Sequence, residues 1–199
     1  GDMDGDGDLD VVAGNGGTNT AELLYLGDGA GGFAAGSTIN SDANNTKSVN
    51  LGDVDGDGDL DVVTGNDAQV NRLYVNDGSG VFTGSDVDTY TGSTWSTALG
   101  DLNADGILDL LVGNYSSGGI LRAHMGTGSG FNASHVSLMS DNFNVRSVVL
   151  GDVDGDGSLD AFSGNATESS LALNNGSGSF GARVALATTG VFAIRLGDL

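Results

Sequence analysis

The 199-residue chain has no cysteine and no proline. Disulfides and thiolate chemistry are therefore excluded, and any stapling of the fold must come from another source. Basic residues are scarce: 6 lysines and arginines face 27 aspartates and glutamates, for a formal charge of −21. A surface of that sign repels nucleic acid and anionic membranes, so neither is an expected partner. There is no run of 18 apolar residues, so membrane insertion is not expected, and no signal peptide is recognisable. The chain opens within a motif and without an initiator methionine, so a targeting segment upstream is not excluded. Low hydrophobicity with high charge can signal disorder. Here, however, the apolar residues fall in short phased runs such as Leu60-Asp61-Val62-Val63 and Leu108-Asp109-Leu110-Leu111-Val112, the pattern of packed strands.

What the chain does have is an acidic block, Asp-x-Asp/Asn-x-Asp-Gly-x-Leu-Asp. It begins at Asp2, Asp53, Asp101 and Asp152, and a fifth copy starts at Asp198. Phe33, Phe82, Phe131 and Phe180 recur every 49 residues, each after a glycine-rich turn. A Gly-Asn pair follows each block, at Gly14-Asn15, Gly65-Asn66, Gly113-Asn114 and Gly164-Asn165. Glycine and asparagine tolerate the positive φ that tight hairpins need.

The second repeat predicts strands over 47–51, 60–64, 70–75 and 81–87. The same order recurs over 95–99, 108–112, 120–125 and 131–138, then over 146–150, 159–163, 170–174 and 180–187. No segment pairs a helix cap with a 3.6-residue apolar period. A period near 50 with four short strands per unit predicts an all-β fold, a β-propeller of four-stranded blades. The repeats span about 1–46, 47–94, 95–145 and 146–190, and 191–199 begins as the first strand of a further or ring-closing blade. Three arrangements fit. The C-terminal strand completes the first blade, two chains exchange these strands in a homodimer, or the chain is a stretch of a longer propeller.

Within each block, oxygen ligands recur at positions 1, 3, 5 and 9: Asp2, Asp4, Asp6 and Asp10; Asp53, Asp55, Asp57 and Asp61; Asp101, Asn103, Asp105 and Asp109; Asp152, Asp154, Asp156 and Asp160. Position 7 (Asp8, Asp59, Ile107 and Ser158) offers a backbone carbonyl. Its side chain varies, so Asp8 and Asp59 are expected to point outward. Hard oxygen ligands, one carbonyl and a flexible loop suit Ca²⁺ better than Mg²⁺. About four calcium ions are expected, one per complete loop, because carboxylates packed this closely repel unless a cation neutralises them. Four such ions would reduce the formal charge from −21 to −13. Position 12, acidic in an EF-hand, holds Ala13, Thr64, Val112 and Ser163, which excludes that motif.

The Asp-Val-Asp-Gly-Asp-Gly-Asp-Leu-Asp block, preceded by Leu-Gly and followed by Val-Val-x-Gly-Asn, resembles the FG-GAP/VCBS repeat family of integrin-α-like propellers. The resemblance covers essentially the whole chain. It implies that each block joins the first two strands of a blade and binds calcium. Members of the family include extracellular adhesion modules, lectins and domains of polysaccharide lyases.

Outside the blocks the signals are sparse. His124 and His135 occupy unrelated repeat positions and are read as packing or surface residues. Glu22, Glu168, Asp67 and Asp141 are the acids left for general acid–base work, and nothing in the sequence places two of them together. The repeated phenylalanines are expected to wedge between blades. Trp95, Tyr90 and Tyr115 break the repeat, and either pack blades or line a sugar platform. The leading expectation is a calcium-stabilised recognition module, not an enzyme, that binds a glycan or a protein. Millimolar extracellular calcium suits such loops and points to a secreted or cell-surface location. The alternatives are a scaffold from a polysaccharide-processing enzyme and a structural repeat of a surface adhesin. The first would need several of Lys47, Arg72, Arg122, Arg146, Arg183 and Arg195 to converge.

Overall fold

The computed structural model describes residues 1–17, 20–115, 120–139, 144–165, 167–186 and 190–197. Among these, the glycine-punctuated apolar runs form fifteen strands in four antiparallel sheets. The first sheet has three strands, β1 (Val11–Ala13), β2 (Leu23–Tyr25) and β3 (Ser37–Thr38). The second comprises β4 (Thr46–Gly52), β5 (Asp61–Asn66), β6 (Arg72–Asn76) and β7 (Phe82–Asp86). The third comprises β8 (Thr94–Gly100), β9 (Asp109–Asn114), β10 (Leu121–His124) and β11 (Val136–Met139). The fourth comprises β12 (Val145–Gly151), β13 (Asp160–Asn165), β14 (Ser169–Ala172) and β15 (Val184–Leu186).

The repeat in sequence becomes a repeat in register. Gly52 pairs with Asp61, Gly100 with Asp109 and Gly151 with Asp160, so the second, third and fourth acidic blocks each bridge the first two strands of their sheet, while the first block leads into β1. Every residue of β5, β9 and β13 is buried, because each of these strands lies inside its sheet with packed faces on both sides. Strand alternation divides their apolar side chains between two cores. Val62 joins Met3, Leu24, Ile39 and Tyr74 between the first and second sheets. Its neighbour Val63 joins Val54, Leu73, Leu110 and Val112 between the second and third. Leu111 continues the pattern into a third core with Leu102, Leu121 and Val148. Each fully buried Val or Leu is worth roughly 1.5–3 kcal/mol, so the intersheet cores dominate stability.

Polar links span the same interfaces. The Thr46 hydroxyl lies within hydrogen-bond reach of buried Glu22, just before β2 (2.5 Å), and of Asn66 Oδ1 (2.9 Å), and the Tyr74 hydroxyl donates to Glu22. Burial, with Glu22 nearby, pushes the Tyr74 phenol well above its usual range. One hydroxyl contact recurs from sheet to sheet: the Thr97 N–H donates to Ser48 Oγ (3.1 Å) and the Val148 N–H to Ser96 Oγ (3.0 Å).

Two expectations need correction, and the course of the chain's last segment is a separate observation. Phe82, Phe131 and Phe180 pack against intersheet cores, but Phe33 does not and is half exposed, because among the described residues no sheet lies on the outer side of β1–β3. The outer strands β11 and β15 begin at Val136 and Val184, later than expected, because Phe131 and Phe180 first form isolated bridges with Gly126 and Asn174. Finally, residues 191–197 form no ladder, and among the described residues β1 pairs only with β2. Closure of a ring by the C-terminal segment is therefore not seen. The fifth block, at Asp198, lies outside the described residues.

Candidate metal loops and aromatic stack

The loops fold on themselves through carboxylates that accept backbone N–H groups. In the second repeat, Asp53 accepts from Gly56 (2.7 Å) and Gly58 (3.1 Å), Asp55 from Asp57 (3.3 Å) and Asp57 from Asp59 (2.9 Å). The first repeat repeats this with Asp2, Asp4 and Asp6, and the fourth with Asp152, Asp154 and Asp156. Carboxylate oxygens converge to within 4.8 Å of one another in Asp2–Asp4–Asp6, Asp53–Asp55–Asp57 and Asp152–Asp154–Asp160. These three clusters can hold a divalent cation. Partial desolvation and the charge of Asp6 raise the Asp4 pKa, as expected for crowded carboxylates.

The aspartate at position 9 is placed differently from the rest. Asp61 is fully buried, and its two oxygens accept from Val54 N (2.8 Å) and Asn76 N (2.9 Å). Asp10 does the same with Met3 and Gly27, Asp109 with Leu102 and Gly126, and Asp160 with Val153 and Asn174. Each thus ties its loop to the end of β2, β6, β10 or β14 of the same sheet, a role with no signature in the block itself. Burial raises the pKa of Asp61 and Asp109 against the lowering effect of these N–H groups.

Position 7 faces the hairpin that follows β2, β6, β10 or β14. A Cβ on Gly29 would collide with the Asp8 carboxylate, and one on Gly78 with that of Asp59. Ser158 and Ile107 approach Gly176 and Gly128 in the same way. These side chains lean away from the converging carboxylates.

The third loop departs from the others. Asn103 replaces an aspartate, and its amide donates to Asp105 (2.9 Å), a hydrogen bond where the other loops set carboxylate against carboxylate. Ala104 sits there at φ 60°, where the other loops place glycine. A left-handed conformation costs a non-glycine residue roughly 1–2 kcal/mol. Part of that gain is lost to the extra chain entropy of glycine, so Ala104→Gly is expected to stabilise the protein by about 0.5–1 kcal/mol. Urea unfolding in calcium measures this, and a loss of stability would show that Ala104 is not strained.

A second feature lies at the opposite ends of the same inner strands. Trp95, second residue of β8, stacks on Tyr115 with centroids 3.8 Å apart and planes at 12°. Arg146, second residue of β12, lies 5.8 Å from the Tyr115 ring and 4.2 Å from that of Phe192. Its Nε is buried without a hydrogen-bond partner. The result is a row of three rings and one guanidinium. Two of the three aromatics that break the repeat are in contact, and the sequence offered no sign that Arg146 and Phe192 would join them.

A family model for the FG-GAP-like repeat matches residues 2–64, 53–112 and 101–163, each span running from one acidic block through the next. The chain belongs to the FG-GAP-like repeat family. No curated protein sequence matches this FG-GAP-like chain. Among solved structures, one from Agrocybe aegerita matches with a TM-score of 0.66 and 24% identity. It is a lectin described for its specific recognition of non-reducing terminal N-acetylglucosamine. The match covers 96% of this chain and 51% of the lectin, so the chain spans about half the lectin's length.

The remaining candidates of this FG-GAP-like chain have structural partners. Glu22 is held by Thr46 and Tyr74, Glu168 pairs with Arg183 (2.6 Å), and Asp67 accepts from Ser93 and faces Lys47 at 3.8 Å. Asp141 lies outside the described residues. Among the described residues, none of these acids is set against another. His124 and His135, unrelated by repeat position, have rings 5.5 Å apart. The pairing of Ala123 with Val136 brings them side by side. His124 is buried, with Nδ1 3.0 Å from the Asn132 carbonyl and Nε2 3.4 Å from Asp88. Tyr90 stacks under Arg122 at 3.8 Å, so this third irregular aromatic packs a cation away from the Trp95 stack. Of the six cations, Lys47, Arg72 and Arg183 are neutralised by local carboxylates, Arg72 by both Asp42 and Asp86. No helix of the described residues is long and apolar enough to cross a membrane.

Proposed function

We propose that the chain is a non-catalytic, calcium-stabilised β-propeller module that recognises a glycan outside the cell. The observation that carries the glycan reading is the Trp95–Tyr115–Arg146–Phe192 row. Tyr115 is sandwiched between Trp95 and Arg146, which leaves half-buried Trp95 and exposed Phe192 to receive the C–H face of a sugar. The Arg146 guanidinium, held between the Tyr115 and Phe192 rings, supplies donors for hydroxyl or acetamido oxygens.

Calcium has a different task in this reading. Positions 1, 3, 5 and 9 of each block would hold it with the position-7 carbonyl, and the third loop, one charge short, would hold it most weakly. The ion neutralises crowded carboxylates and pins each loop to its sheet. The seven-residue inner strands separate loops from the aromatic row by roughly 20 Å at about 3.3 Å per residue. Calcium thus stabilises the scaffold and does not touch the sugar. Millimolar calcium outside cells would keep such sites filled. The polysaccharide-enzyme reading is disfavoured by the local neutralisation of three of the six cations.

A glycan array probed with calcium-loaded protein tests this, with N-acetylhexosamines first because the similar lectin recognises N-acetylglucosamine. Trp95→Ala should weaken binding about tenfold or more, the value of one lost stacking contact. The calcium-loaded melt should move by only a few degrees. Array silence would sink the glycan reading, and binding unchanged in both Trp95→Ala and Phe192→Ala would remove the site.

A further inference from the structure

The second and third sheets meet at a polar cluster that neither the acidic loops nor the aromatic row uses. His124 closes β10 and is fully buried. Its place in the repeat does not call for a histidine. Leu110 pairs with His124 as Val11 pairs with Tyr25, Val62 with Tyr74 and Ala161 with Ala172. A tyrosine or an alanine thus fills the same position in the other sheets. Facing His124 is Asp88, itself buried, on the segment that carries the chain from β7 to β8. The third member is exposed His135, just ahead of β11. The register that pairs Ala123 with Val136 sets it across from His124.

Hydrogen bonding fixes what the two buried groups present. His124 Nδ1 lies 3.0 Å from the Asn132 carbonyl, which can only accept, so Nδ1 carries a proton. Nε2 is buried without a hydrogen-bond partner, and in the neutral ring it holds a lone pair. Asp88 is oriented in the same way. Its Oδ1 accepts from the Tyr90 N–H (2.8 Å), and Oδ2 is left 3.4 Å from Nε2. A buried lone pair facing a carboxylate oxygen is unpaired on both sides, which costs free energy unless a cation lies between them.

That cation is a proton or a metal ion, and the spacing separates the two. A shared proton draws such a pair to about 2.7–2.9 Å. Two ligands on a tetrahedral zinc, with bonds of about 2.0–2.1 Å, stand about 3.3 Å apart. By the same geometry, two imidazoles on one ion have ring centroids about 5 Å apart. Those of His124 and His135 are 5.5 Å apart. Their planes are tilted by 49°, and the three donor atoms do not converge as the loop carboxylates do. A turn of the exposed His135 side chain supplies the missing donor. Arg122, two residues before His124 in β10, lies over the Tyr90 ring at 3.8 Å and forms no ion pair with Asp88. It leaves Oδ2 to the ion.

We propose that His124, His135 and Asp88 form a zinc site between the second and third sheets, with water as the fourth ligand. Both buried ligands already have the outer hydrogen bonds that orient metal ligands, the Asn132 carbonyl behind His124 and the Tyr90 N–H behind Asp88. Two imidazoles and one carboxylate select Zn²⁺ over Ca²⁺, which takes oxygen ligands. The site is therefore chemically distinct from the acidic loops. It ties the β10–β11 hairpin to the segment ahead of β8 in a chain that has no cysteine for the purpose.

The test is a zinc titration by calorimetry in millimolar calcium, which keeps the acidic loops filled. One zinc per chain is expected, and cobalt in its place should give the intense visible bands of a low-coordinate site. Zinc at one hundred times its dissociation constant should raise the calcium-loaded melt by about 5–10 °C. His135→Ala should keep its circular dichroism and its calcium-loaded melt, since His135 is exposed and belongs to no intersheet core. It should lose zinc affinity by roughly tenfold or more, because even outer-shell partners are worth about 10–100-fold. Asp88→Asn should weaken zinc by a similar factor, and imidazole nitrogen-15 spectra should show the ion on His124 Nε2. Three results would each overturn the site: no zinc bound in calcium, zinc affinity unchanged in His135→Ala, or protons on both His124 nitrogens with zinc present.

Discussion

Chelation with EDTA is expected to lower the melting temperature by about 20–40 °C relative to the calcium-loaded protein. A ligand at one hundred times its dissociation constant stabilises the folded state by about 2.7 kcal/mol per site. Four filled loops would contribute about 10 kcal/mol, and each kcal/mol moves the melt of a chain this size by about 2–4 °C. The loops have little to replace the ion. Their carboxylates converge in three of the four blocks, and the chain has no disulfide to hold them. Calcium should restore the melt at much lower concentration than magnesium, which resists losing its water shell. The third loop, where Asn103 bonds Asp105, should change least on chelation, a difference readable by amide hydrogen exchange. An unchanged melt in EDTA would remove calcium from the account of stability altogether.

The second large effect separates two aspartates two residues apart. Asp61→Ala is expected to cost about 3–5 kcal/mol, because it leaves the amides of Val54 and Asn76 buried and unpaired at roughly 1–3 kcal/mol each. It also removes a proposed ion ligand and opens a gap beside fully buried Val62 and Val63. Asp59→Ala, at position 7 against the Gly78 hairpin and without a buried amide to pair, should stay within about 0.5 kcal/mol. Asp61→Asn should fall between them, since its carbonyl oxygen can serve one amide while its NH₂ faces the other donor. Urea unfolding with and without calcium distinguishes the roles. If Asp61→Ala costs as much in EDTA as in calcium, the hydrogen bonds are its main work. If the cost nearly vanishes in EDTA, the carboxylate acts chiefly through the ion.

Much of this architecture was legible because the repeat is simple. The Gly-Asn pairs at 65–66, 113–114 and 164–165 mark the ends of β5, β9 and β13, and the second, third and fourth acidic blocks lie between the first two strands of their sheets. The outward lean of Asp8 and Asp59 was legible too, because Ile107 and Ser158 could not serve as acidic ligands at the same position. The position-9 aspartates were harder. Local spacing marks them as ligands, but their hydrogen bonds to residues 27, 76, 126 and 174 span 14 to 17 positions and depend on where β2, β6, β10 or β14 returns.

The periodic elements were determined by the sequence alone, since turn chemistry, strand alternation and carboxylate crowding act over a few residues and repeat with each block. Tertiary structure decided whatever depends on a residue's neighbour in the next sheet. Phe33 and Phe82 occupy the same repeat position, yet one is exposed and the other packed, because among the described residues only one has a sheet before it. Arg146 and Phe192 join Trp95 and Tyr115 only once β8, β12 and the 191–197 segment lie side by side. His124 and His135 meet because two outer strands pair in one register. Such contacts link residues far apart in the chain, and local periodicity carries no information about them until the sheets are packed.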